Sequence, residues 1–224
     1  MIPDLYICNP TRESPFYKPS GMEPHILIVD DHSMIRKGLK IYLQLNLGYT
    51  NISEAATCGE LMKELLRKKY THLILDIVVA DGSTLEVIPN IARVYPQLKI
   101  LIFSMQPAEV YGEALKQWGV RYYLSKSLGE DEIILRLRQF FDNELPPAHH
   151  QDSRKPGNPF STLTSRELEI LHYLLKGMGT KEMAEALNLK MSTISTIKTR
   201  IYEKTGAGNI KELMELATLY NVNY

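Results

Sequence analysis

The chain has 224 residues, of which 44% are hydrophobic and 23% are charged. This is the composition of a globular protein, and it excludes collagen, coiled coils and bulk disorder. Lysine plus arginine amounts to 26 residues and aspartate plus glutamate also to 26, so the formal net charge is zero. A general polyanion binder would be more basic, and any contact with DNA therefore has to be local.

The cysteine content and the N-terminal sequence indicate the compartment. Two cysteines are too few for a disulfide framework or a zinc cluster, and both are interpreted as reduced thiols. No stretch approaches the roughly 18 apolar residues of a membrane span, and the first residues lack the basic and apolar regions of a secretory signal. We expect a cytoplasmic protein with no membrane partner. Residues 1–21 are proline-rich and aperiodic, which predicts a disordered N-terminal tail.

From residue 25 onward, apolar runs alternate with segments of helix length. The runs are at 25–31, 51–55, 72–79, 99–105 and 120–124. Three of them are nearly continuous in Ile, Leu and Val, which is typical of parallel strands covered on both faces. Five strands and five helices predict a flavodoxin-like, doubly wound α/β domain, a (βα)5 unit, at 22–142.

Short capping patterns predict where helices begin. A Ser or Thr followed three residues later by Glu forms a capping box, and this pattern occurs at Thr57, Ser83, Ser127 and Thr164. Asn209 with Glu212 predicts a further helix start. Thr180 is expected to cap one short helix, and Ser192 is expected to cap the next.

The C-terminal part differs in pattern from the rest. Residues 143–160 contain four prolines and polar filler, which predicts a flexible linker. The adjacent His149 and His150 in it are interpreted as solvated rather than as metal ligands. Beyond residue 160 the pattern is entirely helical, and four short helices predict a small all-α domain at 161–224. The middle of this domain has a helix-turn-helix outline.

Polar residues stand at the carboxyl ends of the predicted strands. Asp30 and Asp31 end the first run, Asp76 lies in the third, Ser104 ends the fourth and Lys126 follows the fifth. In an open parallel sheet these ends form one edge, where ligands bind. Clustered carboxylates repel one another, and a hard cation such as Mg²⁺ relieves that repulsion. A carboxylate beside Mg²⁺ can attack a phosphoryl group.

This arrangement resembles the receiver domain of two-component response regulators over about 22–142. The resemblance lies in VDDHSMIRKGL, LILDIVVADGSTLEVI, FSM and YLSK. It implies that Asp76 is the phosphoacceptor and that Asp30 and Asp31 hold Mg²⁺ together with it. It also implies that Ser104 is the switch hydroxyl and that Lys126 binds the phosphate.

Other positions match the family pattern only in part. Tyr123 falls at the aromatic switch position, with a half-buried strand aromatic as the alternative. Ala80 and Thr84 stand where the family usually has proline and glycine, and Val78 and Met105 are expected at the mouth of the site. These departures are the only support for an alternative in which the receiver is a phosphate-independent platform for dimerisation or interaction.

The helical region resembles the DNA-binding domain of the NarL/FixJ (LuxR-type) regulators from about 161 to 220. The matching stretches are LTSRELEIL, KGMGTKEMAEALNL and MSTISTIKTRIYEKTGAGNIKEL. On a helical wheel Ile194, Ile197 and Ile201 face the core, and short hydroxyl side chains lie opposite, where they suit a DNA groove. The residues expected to contact DNA are Lys181, Thr193, Ser195, Thr196, Lys198, Thr199 and Arg200. Between 190 and 204 the local basic patch consists of Lys190, Lys198, Arg200 and Lys204 against Glu203.

Together these features predict a DNA-binding response regulator. The implied partners are a sensor histidine kinase, double-stranded promoter DNA and a second copy of the chain in an active homodimer. The only expected catalysis is self-directed phosphoryl transfer and autodephosphorylation at Asp76, so the chain is not interpreted as an enzyme. Trp118 is interpreted first as a packed residue at the core edge, with an interface anchor as the alternative.

Overall fold

The structure, a computed structural model, describes residues 23–144 and 157–222. The predicted tail at 1–21 and most of the predicted linker, including His149 and His150, lie outside the described residues. The first described part contains a five-stranded sheet in which every pair of neighbours is parallel. Its strands are β1 (Ile26–Val29), β2 (Ile52–Ala55), β3 (His72–Leu75), β4 (Lys99–Ser104) and β5 (Tyr122–Ser125).

The strand order is β2-β1-β3-β4-β5, so the order reverses beside β1 and the sheet is doubly wound as predicted. Five helices cover it, namely α1 (Ser33–Leu47), α2 (Cys58–Arg67), α3 (Ile88–Val94), α4 (Ala108–Lys116) and α5 (Glu130–Phe141). Successive strand residues point to opposite faces. Ile26 and Ile28 pack with α1 and α5, whereas Leu27 and Val29 pack with α2, α3 and α4.

The third apolar run is shorter as a strand than its sequence suggests. β3 ends at Leu75, and Val78–Val79 pairs with Gly82–Ser83 in a short antiparallel hairpin. Gly82 has a φ of 141°, which only glycine adopts readily. A 3₁₀ helix, Thr84–Glu86, follows directly. The chain therefore turns back over the end of the sheet immediately after Asp76.

The second part of the chain is entirely helical, as predicted. A 3₁₀ turn, Pro159–Thr162, lies across the predicted boundary between linker and helical domain, and its Phe160 is fully buried. Four helices follow, namely α6 (Ser165–Leu175), α7 (Thr180–Ala186), α8 (Met191–Thr205) and α9 (Ile210–Leu219). The turn between α7 and α8 gives the predicted helix-turn-helix. Ile194 and Ile201 are buried in its core, whereas Ile197 is only half-buried.

Several predicted helix caps are confirmed. Each of these side chains accepts a hydrogen bond from a backbone N–H two or three residues further on, and they are Thr57, Ser83, Thr164 and Asn209. Ser83, however, caps the 3₁₀ helix and not α3 itself. At Thr164 the capping box is complete, because Glu167 also accepts from the backbone of Thr164.

Three predicted caps are wrong. Gly129 precedes α5, and the hydroxyl of Ser127 instead lies 2.8 Å from the hydroxyl of Ser125. Lys190 precedes α8, so Ser192 is the second residue of that helix. Thr180 is likewise the first residue of α7 and not the residue before it. Single Ser and Thr residues near a helix start predict its position only to within a residue or two.

The two parts of the chain pack against each other, and their hydrophobic cores are continuous. The Pro159–Thr162 turn contacts α4, and α6 contacts both α4 and the Thr84–Glu86 turn. α6 is therefore buried on two faces. The face carrying Leu168, Leu171 and Leu175 packs inside the helical domain, and the face carrying Ser165 and Glu169 lies against the α/β domain.

Candidate functional site

The carboxylates predicted at the sheet edge are brought together. Candidate ligand atoms of Asp30, Asp31, Asp76 and the neighbouring His32 all lie within 4.8 Å of one another. Asp30 and Asp76 are almost fully buried, whereas Asp31 is exposed. They converge because β1 and β3 are adjacent parallel strands whose carboxyl ends share one edge.

Lys126 and Ser104 complete the contacts of this carboxylate cluster. The hydroxyl of Ser104 donates to Oδ1 of Asp76 at 2.6 Å. The buried ammonium of Lys126 forms an ion pair with Oδ2 of Asp76 and another, at 2.6 Å, with Oδ2 of Asp30. β5 places Lys126 here because its backbone N–H continues the sheet, donating to the carbonyl of Ser104 at 2.9 Å. All five residues predicted for this edge are thus brought together, and four of them are linked by direct contacts, namely Asp30, Asp76, Ser104 and Lys126.

Burial sets the protonation chemistry of Asp76. It raises the pKa of the Asp76 carboxyl above its ordinary value, because the charged form loses hydration. The hydrogen bonds from Lys126 and Ser104 act in the opposite direction, and the nearby Asp30 carboxylate raises the pKa further. Asp76 is therefore a desolvated carboxylate whose charge is compensated by one lysine and one hydroxyl.

Thr84 has a role at the position where the family usually has glycine. Its side chain is fully buried, and its hydroxyl donates to the backbone carbonyl of Asp76 at 2.7 Å. Its backbone N–H donates to the carbonyl of Ile77 at 2.8 Å. These bonds hold the loop after Asp76 closed. Val78 lies in the hairpin and is half-buried, and Ala80 at the hairpin turn is exposed.

Hydrogen bonds connect Tyr123, at the predicted aromatic switch position, to the carboxylate site. Tyr123 donates from Oη to the backbone carbonyl of Gln106 at 2.8 Å, and burial raises its pKa well above the ordinary value. The backbone N–H of Gln106 in turn donates to the hydroxyl of Ser104 at 3.3 Å. A chain of contacts thus runs from Asp76 to Tyr123. Met105, expected to narrow the site, is 54% exposed.

His32 is a member of the carboxylate cluster that was not predicted. Its Nδ1 lies 2.7 Å from Oδ1 of Asp31 and 3.2 Å from Oδ1 of Asp30. Its backbone N–H donates to the same Asp30 oxygen at 2.9 Å. The sequence signal was the imidazole directly after the two aspartates, in VDDHSM.

The predicted DNA-contacting residues lie on the helix-turn-helix as expected. Thr193, Ser195, Thr196, Thr199 and Arg200 are exposed on α8. The hydroxyls of Ser195, Thr196 and Thr199 each donate to the carbonyl four residues earlier, at 2.9–3.1 Å. At these three positions the outward face of α8 carries only short side chains, which permits deep insertion of the helix into a DNA groove.

The basic residues near α8 divide into two groups. Lys181 at the start of α7 is exposed, and Lys198 is partly buried with its ammonium 3.2 Å from the hydroxyl of Thr180. Lys204 is bound within the domain, because its ammonium lies 2.7 Å from the Glu167 carboxylate and 3.2 Å from the carbonyl of Thr162. Lys204 was counted in the basic patch, but it links α8 to the start of α6 instead.

Trp118 lies at the boundary between the α/β domain and the helical domain. Its indole N–H donates to the hydroxyl of Ser165 at 3.3 Å, and that hydroxyl donates to the carbonyl of Ala114 at 3.3 Å. Arg166, the next residue of α6, reaches the Glu86 carboxylate of the α/β domain at 3.6 Å. These contacts fit the alternative of an interface residue, and the first interpretation of Trp118 as a core-edge residue stays a prediction.

Comparison with known proteins identifies both parts of the chain. The family "Response regulator receiver domain" matches residues 26–138, and the family "Bacterial regulatory proteins, luxR family" matches residues 161–217. The oxygen regulatory protein NreC of Staphylococcus haemolyticus is 30% identical over 207 residues, which is 86% of this chain and 95% of that protein. NreC of Staphylococcus aureus matches to the same extent.

Solved structures show the same fold at lower sequence identity. RcsB of Salmonella enterica serovar Typhimurium, bound to promoter rprA with the phosphomimetic BeF₃⁻, superposes with a TM-score of 0.73. The identity is 21%, and the match covers 87% of this chain and 98% of RcsB. A structure of two RcsB dimers on two parallel DNAs matches with a TM-score of 0.67 and 21% identity over 85% of this chain and 96% of that one.

Within the described residues no helix is both long enough and apolar enough to cross a bilayer. The two matched families agree with the structure. The receiver family fits the parallel sheet with its edge of acidic residues, and the luxR family fits the helix-turn-helix. The chain belongs to the two-component response regulators, with a receiver domain followed by a LuxR-type regulatory domain.

Proposed function

We propose that this protein is a transcription regulator whose binding to promoter DNA is controlled by phosphorylation of Asp76 by a sensor histidine kinase. The observation that carries the proposal is the contact of Asp76 with Lys126 and Ser104 beside two further aspartates. The phosphate-independent alternative rested on four departures from the family pattern. It is not favoured, because the chain matches the receiver and luxR regulatory families, and because the Thr84 hydroxyl stabilises the loop after Asp76.

Phosphoryl transfer needs one bond to form and one to break. A carboxylate oxygen of Asp76 attacks the phosphorus of a phosphohistidine, the P–N bond breaks, and an acyl phosphate forms on Asp76 while the imidazole leaves with the bonding pair and takes up a proton. Lys126 and Ser104 already contact the two carboxylate oxygens of Asp76. Each can transfer its hydrogen bond to a phosphoryl oxygen and stabilise the charge that gathers there.

The acidic residues fit a magnesium ion by the chemistry of their donors. Asp30, Asp31 and Asp76 offer carboxylate oxygens close together, and the exposure of Asp31 leaves room for bound water. When bound, Mg²⁺ would neutralise charge on the transferring phosphoryl group. Autodephosphorylation belongs to the same proposed chemistry: water attacks the phosphorus of the acyl phosphate, the bond from phosphorus to the Asp76 oxygen breaks, and inorganic phosphate leaves the free carboxylate.

The helical domain supports promoter binding through α8. Ser195 and Thr199 face outward at its centre, where hydroxyls can contact base edges. Lys198 and Arg200 flank them, and Lys181 and Thr193 stand near the helix starts, where phosphate contacts position the protein. RcsB structures with a similar fold contain promoter DNA, and one contains dimers. This supports DNA binding by a homodimer.

Coupling between the sites follows the contacts through α4. Asp76, Ser104 and Gln106 connect to Tyr123, which lies near Tyr111 inside α4. The other end of α4 carries the contacts to Ser165 of the helical domain. We expect a phosphoryl group to replace the bond between Ser104 and Asp76, shift α4 and loosen this contact. The two states then differ in contacts, as linkage requires.

Intact-mass measurement tests the proposal. Wild type and Asp76→Asn are incubated with a small-molecule phosphodonor, with and without Mg²⁺. We expect a Mg²⁺-dependent gain of one phosphoryl group in wild type and none in the variant, because the amide is no nucleophile for this step. DNA affinity is then measured on the same samples. Labelling that persists in Asp76→Asn, or phosphorylation that leaves DNA affinity unchanged, would contradict the proposal.

A further inference from the structure

The imidazole of His32 belongs to the carboxylate cluster, although the proposed phosphoryl transfer makes no use of it. The residue immediately precedes α1, but its side chain makes no capping hydrogen bond to that helix. Its Nδ1 instead lies 2.7 Å from Asp31 and 3.2 Å from Asp30. The carboxylates, and not the helix end, position the ring.

These separations match the spacing of neighbouring ligands around one metal ion. With metal–ligand bonds of about 2.1 Å at right angles, adjacent ligand atoms stand about 3.0 Å apart and opposite ones about 4.2 Å apart. The ligand atoms of the four residues all lie within 4.8 Å of one another. A single ion can therefore contact His32 together with the aspartates after small side-chain adjustments.

The oxygens of Asp30 divide the site into two sides. Oδ2 of Asp30 forms the ion pair with Lys126, at 2.6 Å. Oδ1 faces His32 instead. Lys126 thus compensates the negative charge on the buried side of the cluster. The side that carries Asp31 and His32 is open to solvent, and the His32 side chain is 65% exposed.

Imidazole changes which cations such a site prefers. Mg²⁺ takes oxygen ligands almost exclusively, whereas Co²⁺, Ni²⁺ and Zn²⁺ bind imidazole nitrogen well. We propose that His32 is a metal ligand for divalent transition ions, which this site binds in competition with Mg²⁺. His32 can act in this way only if the aspartates bind a cation at all, so the assignment rests on the proposed function.

Cobalt is the probe for the test, because Co²⁺ shifts the proton resonances of an imidazole that binds it. The full chain is used, carrying His149→Ala and His150→Ala, because two adjacent histidines can bind transition ions on their own. In this background His32→Ala is compared with His25→Ala, which removes another exposed histidine away from the cluster. Calorimetric titrations give the Co²⁺ and Mg²⁺ affinities of each variant, and Asp31→Asn is titrated in parallel.

We expect His32→Ala to weaken Co²⁺ binding by about tenfold or more, since a direct ligand is lost. Its Mg²⁺ affinity should change by less than about twofold, because water replaces a nitrogen that Mg²⁺ does not require. Asp31→Asn should weaken both ions, and His25→Ala neither. Excess Mg²⁺ should displace the shifted imidazole signal.

Two other results would overturn the assignment in different ways. Equal Co²⁺ affinity in His32→Ala and His25→Ala, with no shifted imidazole signal, would remove His32 from the metal site while leaving the magnesium site intact. A parent protein that binds neither Mg²⁺ nor Co²⁺ would reject the proposed magnesium site itself, and the His32 assignment with it.

Discussion

At Asp76 the backbone is held as closely as the carboxylate. The Thr84 hydroxyl donates to the backbone carbonyl of Asp76, and Lys126 and Ser104 donate to its side-chain carboxylate. A glycine at position 84 would offer no hydroxyl for this purpose. The departure from the family pattern at Thr84 is thus compensated within the loop.

We expect Thr84→Val to lower the free energy of unfolding by about 1–2 kcal/mol, because the substitution keeps the volume and leaves a buried carbonyl without its donor. Urea unfolding followed by circular dichroism measures this change. Thr84→Ser keeps the hydroxyl and removes only the methyl group. If the serine variant were as unstable as the valine variant, packing and not the hydrogen bond would explain the effect.

The residues at the sheet edge were predictable, and some of their partners were not. Asp30, Asp76 and Ser104 follow buried strands, so the pattern of apolar runs places them at one edge. His32 and Lys204 have contacts that depend on side-chain rotamers and on the approach of a distant segment. No periodicity in the sequence contains that information.

At the scale of helices and strands, the alternation of apolar runs with helix-length segments predicted the α-helices of the described residues approximately, and capping patterns predicted the starts of some of them wrongly. Asn209 caps α9, accepting from the backbone of Glu212 at 3.0 Å, whereas Ser192 lies inside α8. Both are polar residues near a helix start. Asn209 is followed three residues later by an acidic residue and Ser192 is not. Ser127, which Glu130 follows, shows that this pattern alone does not place a cap.

This difference predicts unequal effects of two similar substitutions. Asn209→Ala should lower the free energy of unfolding of the protein by about 1 kcal/mol, because α9 loses its cap. Ser192→Ala should change it by less than about 0.5 kcal/mol, since an exposed helix position tolerates alanine. Thermal unfolding of both variants measures the contrast. Equal losses would mean that α8 begins later than the structure indicates.

The two kinds of lysine in α8 predict different responses to salt. Lys198→Ala should weaken binding to specific and random DNA alike and flatten the dependence of log affinity on log salt by about one unit. Lys204→Ala should leave that slope unchanged and lower stability instead, because Lys204 bonds Glu167. Fluorescence anisotropy at several salt concentrations compares them. An unchanged slope for Lys198→Ala would exclude a phosphate contact there.

At the scale of the whole molecule, the position of α6 was not predictable. Its leucine stripe predicts one buried face, but almost every residue of α6 is buried because the receiver domain covers the other. Glu169 shows the result most clearly. It is 1% exposed, and burial between the domains raises its pKa to about 7. The Arg166 guanidinium opposes this shift, and the Glu86 carboxylate adds to it.

The raised pKa of Glu169 predicts that domain docking depends on pH. The docked form binds the Glu169 proton more tightly than the open form, where the ordinary value of 4.5 applies. The contribution of Glu169 to docking is therefore largest below pH 4.5, decreases as the pH rises towards about 7, and is constant above that. Trp118, the single tryptophan, reports docking through its fluorescence emission.

Glu169→Gln is the matched control, because a neutral amide removes this titration. In the variant the emission of Trp118 should vary less between about pH 5 and pH 7.5 than in wild type. His172 has its pKa lowered to about 4 by burial, so its contribution to stability is lost as the pH falls below its ordinary value of 6.5. Glu169 and His172 thus change the stability of the docked form in opposite directions as the pH falls. Identical curves of Trp118 emission against pH for wild type and Glu169→Gln would exclude Glu169 as the group that makes docking pH-dependent.

The covered face of α6 is polar, and this has a consequence for the freed helical domain. Ser165, Glu169 and His172 share one face, at helical spacing, and all three are buried. When the domains separate, these three side chains meet water and regain hydration, so this part of the freed surface of α6 is polar. The contact is thus suited to repeated opening and closing, as interfaces between mobile domains generally are. An apolar stripe at the same positions would hold the domains together more tightly and make release nearly irreversible.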